Sequence, residues 1–236
     1  MPGHLLQKLN QAILDLILPP HCVNCKSANS WLCQNCLNRV SFIGTVICQR
    51  CGAPISSTRP TACTSCQQHP LHAIDGIRAV SIFEDNPIRP AIHFLKYKNH
   101  QAVAAVLASL LADAYRRYTL AVDLIVPVPL HATRLKERGY NQSELLAGQL
   151  SRLLQLPVDA TSLQRIRKTE AQVGLGAGER QKNVANAFAA KTTLFDQKIL
   201  LIDDVCTTGS TLDACATALK AAGAASVWGL TLARAC

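Results

Sequence analysis

Two periods of hydrophobic and polar positions run through this chain. Leu5, Leu6, Leu9, Ile13, Leu16 and Ile17 recur at helical spacing until Pro19-Pro20 ends the pattern. That spacing predicts an amphipathic helix over residues 1–20, docked on the protein or on a partner. A secretory signal is the rival reading, but Gln7, Lys8, Asn10, Gln11 and Asp15 interrupt the apolar stretch, and no small-residue cleavage site follows. Residues 21–70 carry too little apolar content to fold unaided. From residue 71 to 236 apolar runs alternate with helical stretches, giving strands at 77–83, 124–128, 199–202 and 226–232 and helices at 87–97, 102–118, 142–154 and 212–222. Such alternation predicts an α/β domain, a parallel sheet flanked by helices, with ligands at the carboxyl ends of the strands.

The apolar-poor segment is organised by cysteine. Eight of the eleven cysteines form four C-x2-C pairs, namely Cys22/Cys25, Cys33/Cys36, Cys48/Cys51 and Cys63/Cys66. Two intervening residues let both sulfurs of a tight knuckle face one metal ion, and two knuckles complete a tetrahedron around zinc. Two structural Zn2+ ions are expected, each held by four thiolates, so that no coordination position is left for catalysis. Sequential pairing of the knuckles is preferred, with a crossed arrangement open. Thioredoxin-like redox chemistry is the alternative for any one pair, but no βαβ unit lies nearby.

Composition changes the picture in three places. Hydrophobic residues at 49% and charged residues at 17% exclude an intrinsically disordered chain. Aromatics at 5% leave little material for a base-stacking surface. The best apolar run, 102–112, is too short to span a membrane, so the chain is read as soluble and, without export, as cytoplasmic. The formal charge of +9 falls to roughly +5 once two four-thiolate zinc sites are counted at about −2 each. The remaining surplus lies between Arg134 and Lys182, where a mildly basic centre suits a phosphorylated ligand at least as well as a polynucleotide.

The most specific stretch is residues 199–211. An apolar strand leads to Asp203 and Asp204, then to Cys206, Thr207, Thr208, Gly209, Ser210 and Thr211 at the start of a helix. Successive backbone N–H groups and hydroxyls at a helix N-terminus form a phosphate cradle. The carboxylates ahead of it are placed to accept hydrogen bonds from vicinal sugar hydroxyls, or to hold Mg2+ through water. A helix cap beside two surface acids explains one Asp and one Thr, not the whole run. No Gly-Lys-Ser/Thr follows, so this is not a Walker A loop.

This stretch resembles the type I phosphoribosyltransferase signature, which binds phosphoribosyl pyrophosphate (PRPP). By that resemblance Asp203 and Asp204 bind the ribose hydroxyls and residues 207–211 hold the 5′-phosphate. Residues 126–142, with Pro129, Arg134, Arg138, Gly139, Asn141 and Gln142, look like the pyrophosphate-side loop and following helix of ComF-type proteins. Arg165, Arg167, Thr169, Gln172, Arg180, Asn183, Ala187 and Phe188 match the spaced pattern of the same group. With the cysteine-rich segment, the chain resembles the ComF/GntX family over nearly its whole length: a small N-terminal double zinc ribbon joined to a type I phosphoribosyltransferase-like domain. The resemblance implies a link to competence and DNA uptake or utilisation. It also implies PRPP or a related ribose phosphate as ligand with Mg2+; the basic residues between Arg134 and Lys182 motivate single-stranded DNA, and a DNA-uptake or helicase partner, as further candidates. Whether the domain turns over as a phosphoribosyltransferase, with a nitrogen acceptor, is left open, and no catalytic residue is assigned.

Duller readings stand beside these. Arg134 and Arg138 read alternatively as solvated residues at a helix start, but beside a proline-bounded strand end pyrophosphate contact is the preferred reading. Arg165, Arg167 and Lys168 read either as a mobile loop closing over the ligand, with Gln172, Arg180 and Asn183, or as a basic turn. Residues 174–179 mimic a dinucleotide fingerprint, but Glu179 stands at its third glycine, so a flexible loop is expected. Lys96 resembles a family motif or sits on a solvated face. Cys206, near a helix N-terminus, is either an acidified, oxidisable thiol or passive packing.

Overall fold

The computed structural model describes residues 19–56, 62–97, 102–169 and 176–235. Residues 1–18 of the helix expected over 1–20, and the candidate Gln172, lie outside them. Chain order is α1 (Gln34–Leu37), α2 (Thr64–Gln68), β1 (Gly76–Ile82), α3 (Ile88–Tyr97), α4 (Ala102–Arg117), β2 (Leu124–Pro127), α5 (Ala132–Arg138), α6 (Gln142–Leu154), β3 (Leu163–Arg165), α7 (Ala177–Val184), β4 (Phe188–Ala190), β5 (Lys198–Cys206), α8 (Ser210–Ala221) and β6 (Ser226–Arg234).

Four strands form one sheet in the order β1-β6-β5-β2, every neighbouring pair parallel. The run Ile199, Leu200, Leu201 and Ile202 has no solvent exposure, as a central parallel strand covered on both faces requires. Helices α3, α4 and α6 cover one face, where Leu95, Leu107, Leu111, Leu146 and Leu150 pack with Leu200 and Ile202. Helix α8 covers the other, setting Leu212, Cys215 and Leu219 against Ile199 and Leu201. Strands β3 and β4 pair separately and antiparallel.

Three local features differ from the sequence reading. Strand β5 runs on through Asp203, Asp204 and Cys206, because β6 keeps pairing with it as far as Arg234. The carboxylates therefore sit within the strand's last residues rather than after them. Where a flexible loop is expected over 174–179, Gly176 is the N-cap of α7 and donates its N–H to the Glu179 carboxylate at 2.7 Å. The glutamate that spoils the dinucleotide pattern is thus a helix-capping residue. Arg165 ends a strand, and Arg167 is tied by its guanidinium to the carbonyls of Asn183 and Ala185 at 2.9 and 2.7 Å.

The cysteine-rich segment packs directly on the sheet. Residues 41–43 run antiparallel beside edge strand β1, with Ile43 N–H donating to Val80 O at 3.0 Å and Ile82 N–H to Ser41 O at 3.1 Å. At the opposite edge, residues 157–159 run parallel beside β2, with Ile125 N–H donating to Pro157 O and Asp159 N–H to Ile125 O, both at 2.9 Å. The second ribbon is fixed by Ile77 N–H to Arg50 O at 2.8 Å. Arg78 adds a bond to Gln49 O at 3.0 Å and a cation–π contact over Trp228.

Candidate ribose-phosphate site and zinc centres

The eight paired cysteines gather into two clusters, Cys22/Cys25/Cys33/Cys36 and Cys48/Cys51/Cys63/Cys66, so the knuckles pair sequentially. Sulfur separations are 3.7 Å for Cys22–Cys36, 3.5 Å for Cys25–Cys33, 3.9 Å for Cys48–Cys66 and 3.6 Å for Cys51–Cys63. A tetrahedral ion with Zn–S bonds of about 2.3 Å sets its ligands about 3.8 Å apart, so each cluster fits zinc in its edges as well as its donors. The two ribbons repeat one device: Cys33 N–H points to Cys22 Sγ at 3.4 Å and Cys63 N–H to Cys48 Sγ at 3.3 Å. Asn24 also donates to Cys36 Sγ at 3.2 Å. Such donors orient thiolates and spread their charge. Within the second cluster a hydrogen bond from Cys66, and further off the charge of Arg234, pull the Cys51 thiol down to about 5.

At the carboxyl end of the sheet lies a cavity of about 510 Å3, within the range that holds a small ligand. Asp203 and Asp204 form its floor, Pro129, His131 and Thr133 one rim, and Arg134, Arg138, Arg165 and Lys168 bring cations to it. Residues Asp203, Cys206, Thr207, Gly209, Ser210 and Thr211 line a small recess beside it, and Asp203 and Thr211 belong to both.

Each carboxylate is held by side chains from distant segments. Ser143 Oγ donates to Asp203 Oδ1 at 2.9 Å, Gln142 Nε2 donates to Asp204 Oδ1 at 3.3 Å, and the Lys96 ammonium pairs with Asp204 Oδ2. Arg138 in turn donates to Gln142 Oε1 and lies over the Tyr97 ring. Desolvation, and then the negative charge of Asp204, push Asp203 up to about 7, against the pull of Lys96 and Ser143. Lys96 loses hydration, which opposes its charge, yet the Asp204 carboxylate outweighs this and raises its pKa.

Local sequence explains this convergence. Asn141 is the N-cap of α6, accepting from Ser143 N–H at 3.0 Å, while its amide donates to Val128 O at 3.0 Å. One side chain thereby fixes the exit of β2 to the entry of α6 and aims Gln142 and Ser143 at the carboxylates. Gly139, at φ +80°, ends α5 in the left-handed conformation that glycine adopts freely. Neither Gly139 nor Asn141 lines the cavity, whereas Pro129, Arg134, Arg138 and Gln142 do. Of the second basic group Arg165 lines it, while Arg167, Arg180 and Asn183 stand outside its lining.

The hydroxyl-rich residues expected to cradle a phosphate lead into α8. Gly209 is at φ +87°, and a Cβ there would stand 2.7 Å from the Ile77 side chain. Thr208 Oγ1 and Ser210 Oγ are hydrogen-bonded at 2.7 Å. Cys206 is buried behind the loop, and burial pushes its thiol up to about 11, opposite to the acidified reading. Its sulfur instead accepts from Arg234 at 3.2 Å.

Tyr97 and His131 line the cavity and Ser143 holds Asp203, yet motif spacing selects none of the three, whereas Lys96 stands in a stretch resembling a family motif. Lys96 carried a readable signal: it falls four residues after buried Ile92 and one after buried Leu95, on the border of the apolar stripe of α3.

Residues 13–68 match the double zinc ribbon domain family and residues 93–235 the phosphoribosyl transferase domain family. Fold and site therefore define a phosphoribosyltransferase-type domain carrying a double zinc ribbon. The chain is 32% identical over 223 residues to Competence protein F of Haemophilus influenzae, covering 89% of this chain and 95% of that one. It is 33% identical over 222 residues to the DNA utilization protein YhgH of Escherichia coli, covering 90% and 96%, and 28% identical to Competence protein ComFC of Bacillus subtilis, covering 86% and 84%. The chain belongs to the ComF/GntX family. Among solved structures it is similar to glutamine PRPP amidotransferase of B. subtilis, at 15% identity and TM-score 0.41 over 60% of this chain and 30% of that one. Among the described residues no helix is long and apolar enough to cross a membrane.

Proposed function

We propose that this protein binds PRPP, or a related ribose phosphate, with Mg2+ in the cavity above Asp203 and Asp204, and that it serves DNA uptake or utilisation in the cytoplasm. The observation that carries the ligand is the continuous run from β5 into α8, with two carboxylates on the cavity floor and a hydroxyl-rich helix start beside it. Vicinal ribose hydroxyls donate to Asp203 and Asp204. The N–H groups and hydroxyls of residues 207–211 receive the 5′-phosphate. Pyrophosphate falls toward Pro129, Arg134 and Arg138, where guanidinium groups suit its oxygens. Two adjacent carboxylates also fit Mg2+ held through water, which supplies neutralisation of the pyrophosphate charge.

The test is calorimetric titration of PRPP and Mg2+ into zinc-loaded protein beside an Asp203→Ala/Asp204→Ala variant that keeps its zinc. Binding by the wild type and its loss in the variant support the reading; no binding by the wild type removes it. Turnover is a further step on the same site, displacement of pyrophosphate from the ribosyl carbon by a nitrogen acceptor, checked by pyrophosphate release across candidate acceptors.

A second reading is single-stranded DNA handling, alone or with a helicase-like partner. It is favoured by the similarity to a competence protein and a DNA utilization protein and by the cations lining the cavity. Its affinity must fall steeply with salt, because phosphate neutralisation releases counterions. Oligonucleotide binding that is nearly independent of salt counts against it.

A further inference from the structure

The Lys96 ammonium occupies an acceptor that the proposed ligand needs. Asp204 Oδ2 is buried, and among the described residues it has no hydrogen-bond donor other than the paired ammonium of Lys96. Its carboxylate is 5% exposed, whereas the Lys96 side chain is 25% exposed and reaches it from the last turn of α3. A ribose hydroxyl that donates to Oδ2 therefore competes with Lys96 for the same oxygen.

Lys96 has somewhere to go. Its side chain lines both the 510 Å3 cavity and a neighbouring one of about 410 Å3, each of which also holds Arg134 and Arg138. The backbone of α3 is less free: Tyr140 OH donates to Leu95 O, one residue before Lys96, and ties the helix end to the α5–α6 junction. Movement thus falls to the four-carbon stem, a flexible carrier for a compact charge.

We propose that Lys96 is a ligand-exchanged latch that makes the site prefer a pyrophosphate-bearing ribose phosphate over ribose 5-phosphate. In the free protein it neutralises Asp204. When PRPP enters, the ribose hydroxyls take the carboxylate and the displaced ammonium pairs with the pyrophosphate. Ribose 5-phosphate strips Lys96 from Asp204 equally but offers it no anion in return, so its binding carries an uncompensated cost. The inference rests on the ribose-phosphate reading above and adds a specificity-determining residue to it.

The experiment measures Kd for PRPP and for ribose 5-phosphate, each with Mg2+, on zinc-loaded wild type, Lys96→Met and Lys96→Arg, with zinc content and melting temperature checked in each. Losing one charge-assisted hydrogen bond weakens binding about tenfold to a hundredfold. Lys96→Met is expected to weaken PRPP by that factor and to leave ribose 5-phosphate unchanged or bound more tightly. Lys96→Arg is expected to restore most of the preference. Equal weakening of both ligands in Lys96→Met overturns the latch while leaving the ligand reading intact. Failure of wild type to bind either ligand removes both.

Discussion

Arg234 joins the two halves of the chain at one atom: its Nη1 donates to the Cys51 carbonyl at 2.7 Å and to Cys206 Sγ at 3.2 Å. Cys51 belongs to the second four-cysteine cluster, and Cys206 lies directly before the hydroxyl-rich turn that leads into α8. A buried guanidinium therefore holds a zinc knuckle against the end of β5.

Replacing that guanidinium leaves the Cys51 carbonyl without the donor. Arg234→Met is expected to destabilise the protein by about 1–3 kcal/mol, the usual cost of a buried acceptor losing its partner. It is also expected to speed release of one zinc of two to a chromogenic chelator. A melt and release curve matching wild type would show that the contact is incidental.

Asp213 works at the same seam from the other side. From the first turn of α8 its carboxylate accepts the backbone N–H groups of His72, Ala73 and Ile74 at 3.1, 2.8 and 3.0 Å. Asp213→Ala removes both acceptor oxygens and with them all three hydrogen bonds, and is expected to cost about 2 kcal/mol, whereas Asp213→Asn keeps one oxygen and loses less. Urea unfolding of both variants measures the difference, and equal midpoints would refute it.

Gly209 is required twice, by its positive φ and by the room around it. Gly209→Ala adds backbone strain and presses on Ile77, for about 1–3 kcal/mol and a melting temperature lower by several degrees. Because the same turn begins α8, PRPP binding should weaken with it. Calorimetry separates the two effects, since only the second depends on ligand.

Protonation of Asp203 gives a stability signature with a definite sign. Its carboxyl in the folded chain titrates near 7 against an ordinary value of 3.8. The folded state thus binds more protons than the unfolded one between those values, and this group's penalty is complete above about pH 7. Asp203→Asn, which keeps the Ser143 contact, should raise the melting temperature of ligand-free protein at pH 8. The gain should shrink by pH 6, where folded Asp203 is largely protonated. A gain of equal size at both pH values would contradict the shift.

Where one short segment carries the chemistry, the chain was readable as sequence. The spacing from Cys22 to Cys66 contains both cysteine clusters, and residues 199–211 contain the two cavity carboxylates and the hydroxyl-rich turn beside them. Helix 142–154 matched α6 at both ends because Asn141 caps it and its apolar positions keep one period. What escaped depends on segments far apart. Lys96 meets Asp204, and Arg234 meets Cys51, across separations that no local period encodes. Strands β3 and β4, three residues each, are too short to show alternation. The extra length of β5 came from its neighbour β6, not from its own composition.

The antiparallel lie of residues 41–43 beside β1 gives zinc a duty beyond holding its own ribbon. An uncovered parallel edge is a template for another chain. Here the cover is a stretch bracketed by Cys36 of the first cluster and Cys48 of the second, and Ile43 and Ile47 pack on Ala79 of the strand, so its position is set by that apolar contact together with the metal clusters at its two ends. Chelation should consequently loosen that cover and leave β1 free to pair with another chain. Light scattering would rise on metal removal before the helices of the domain melt.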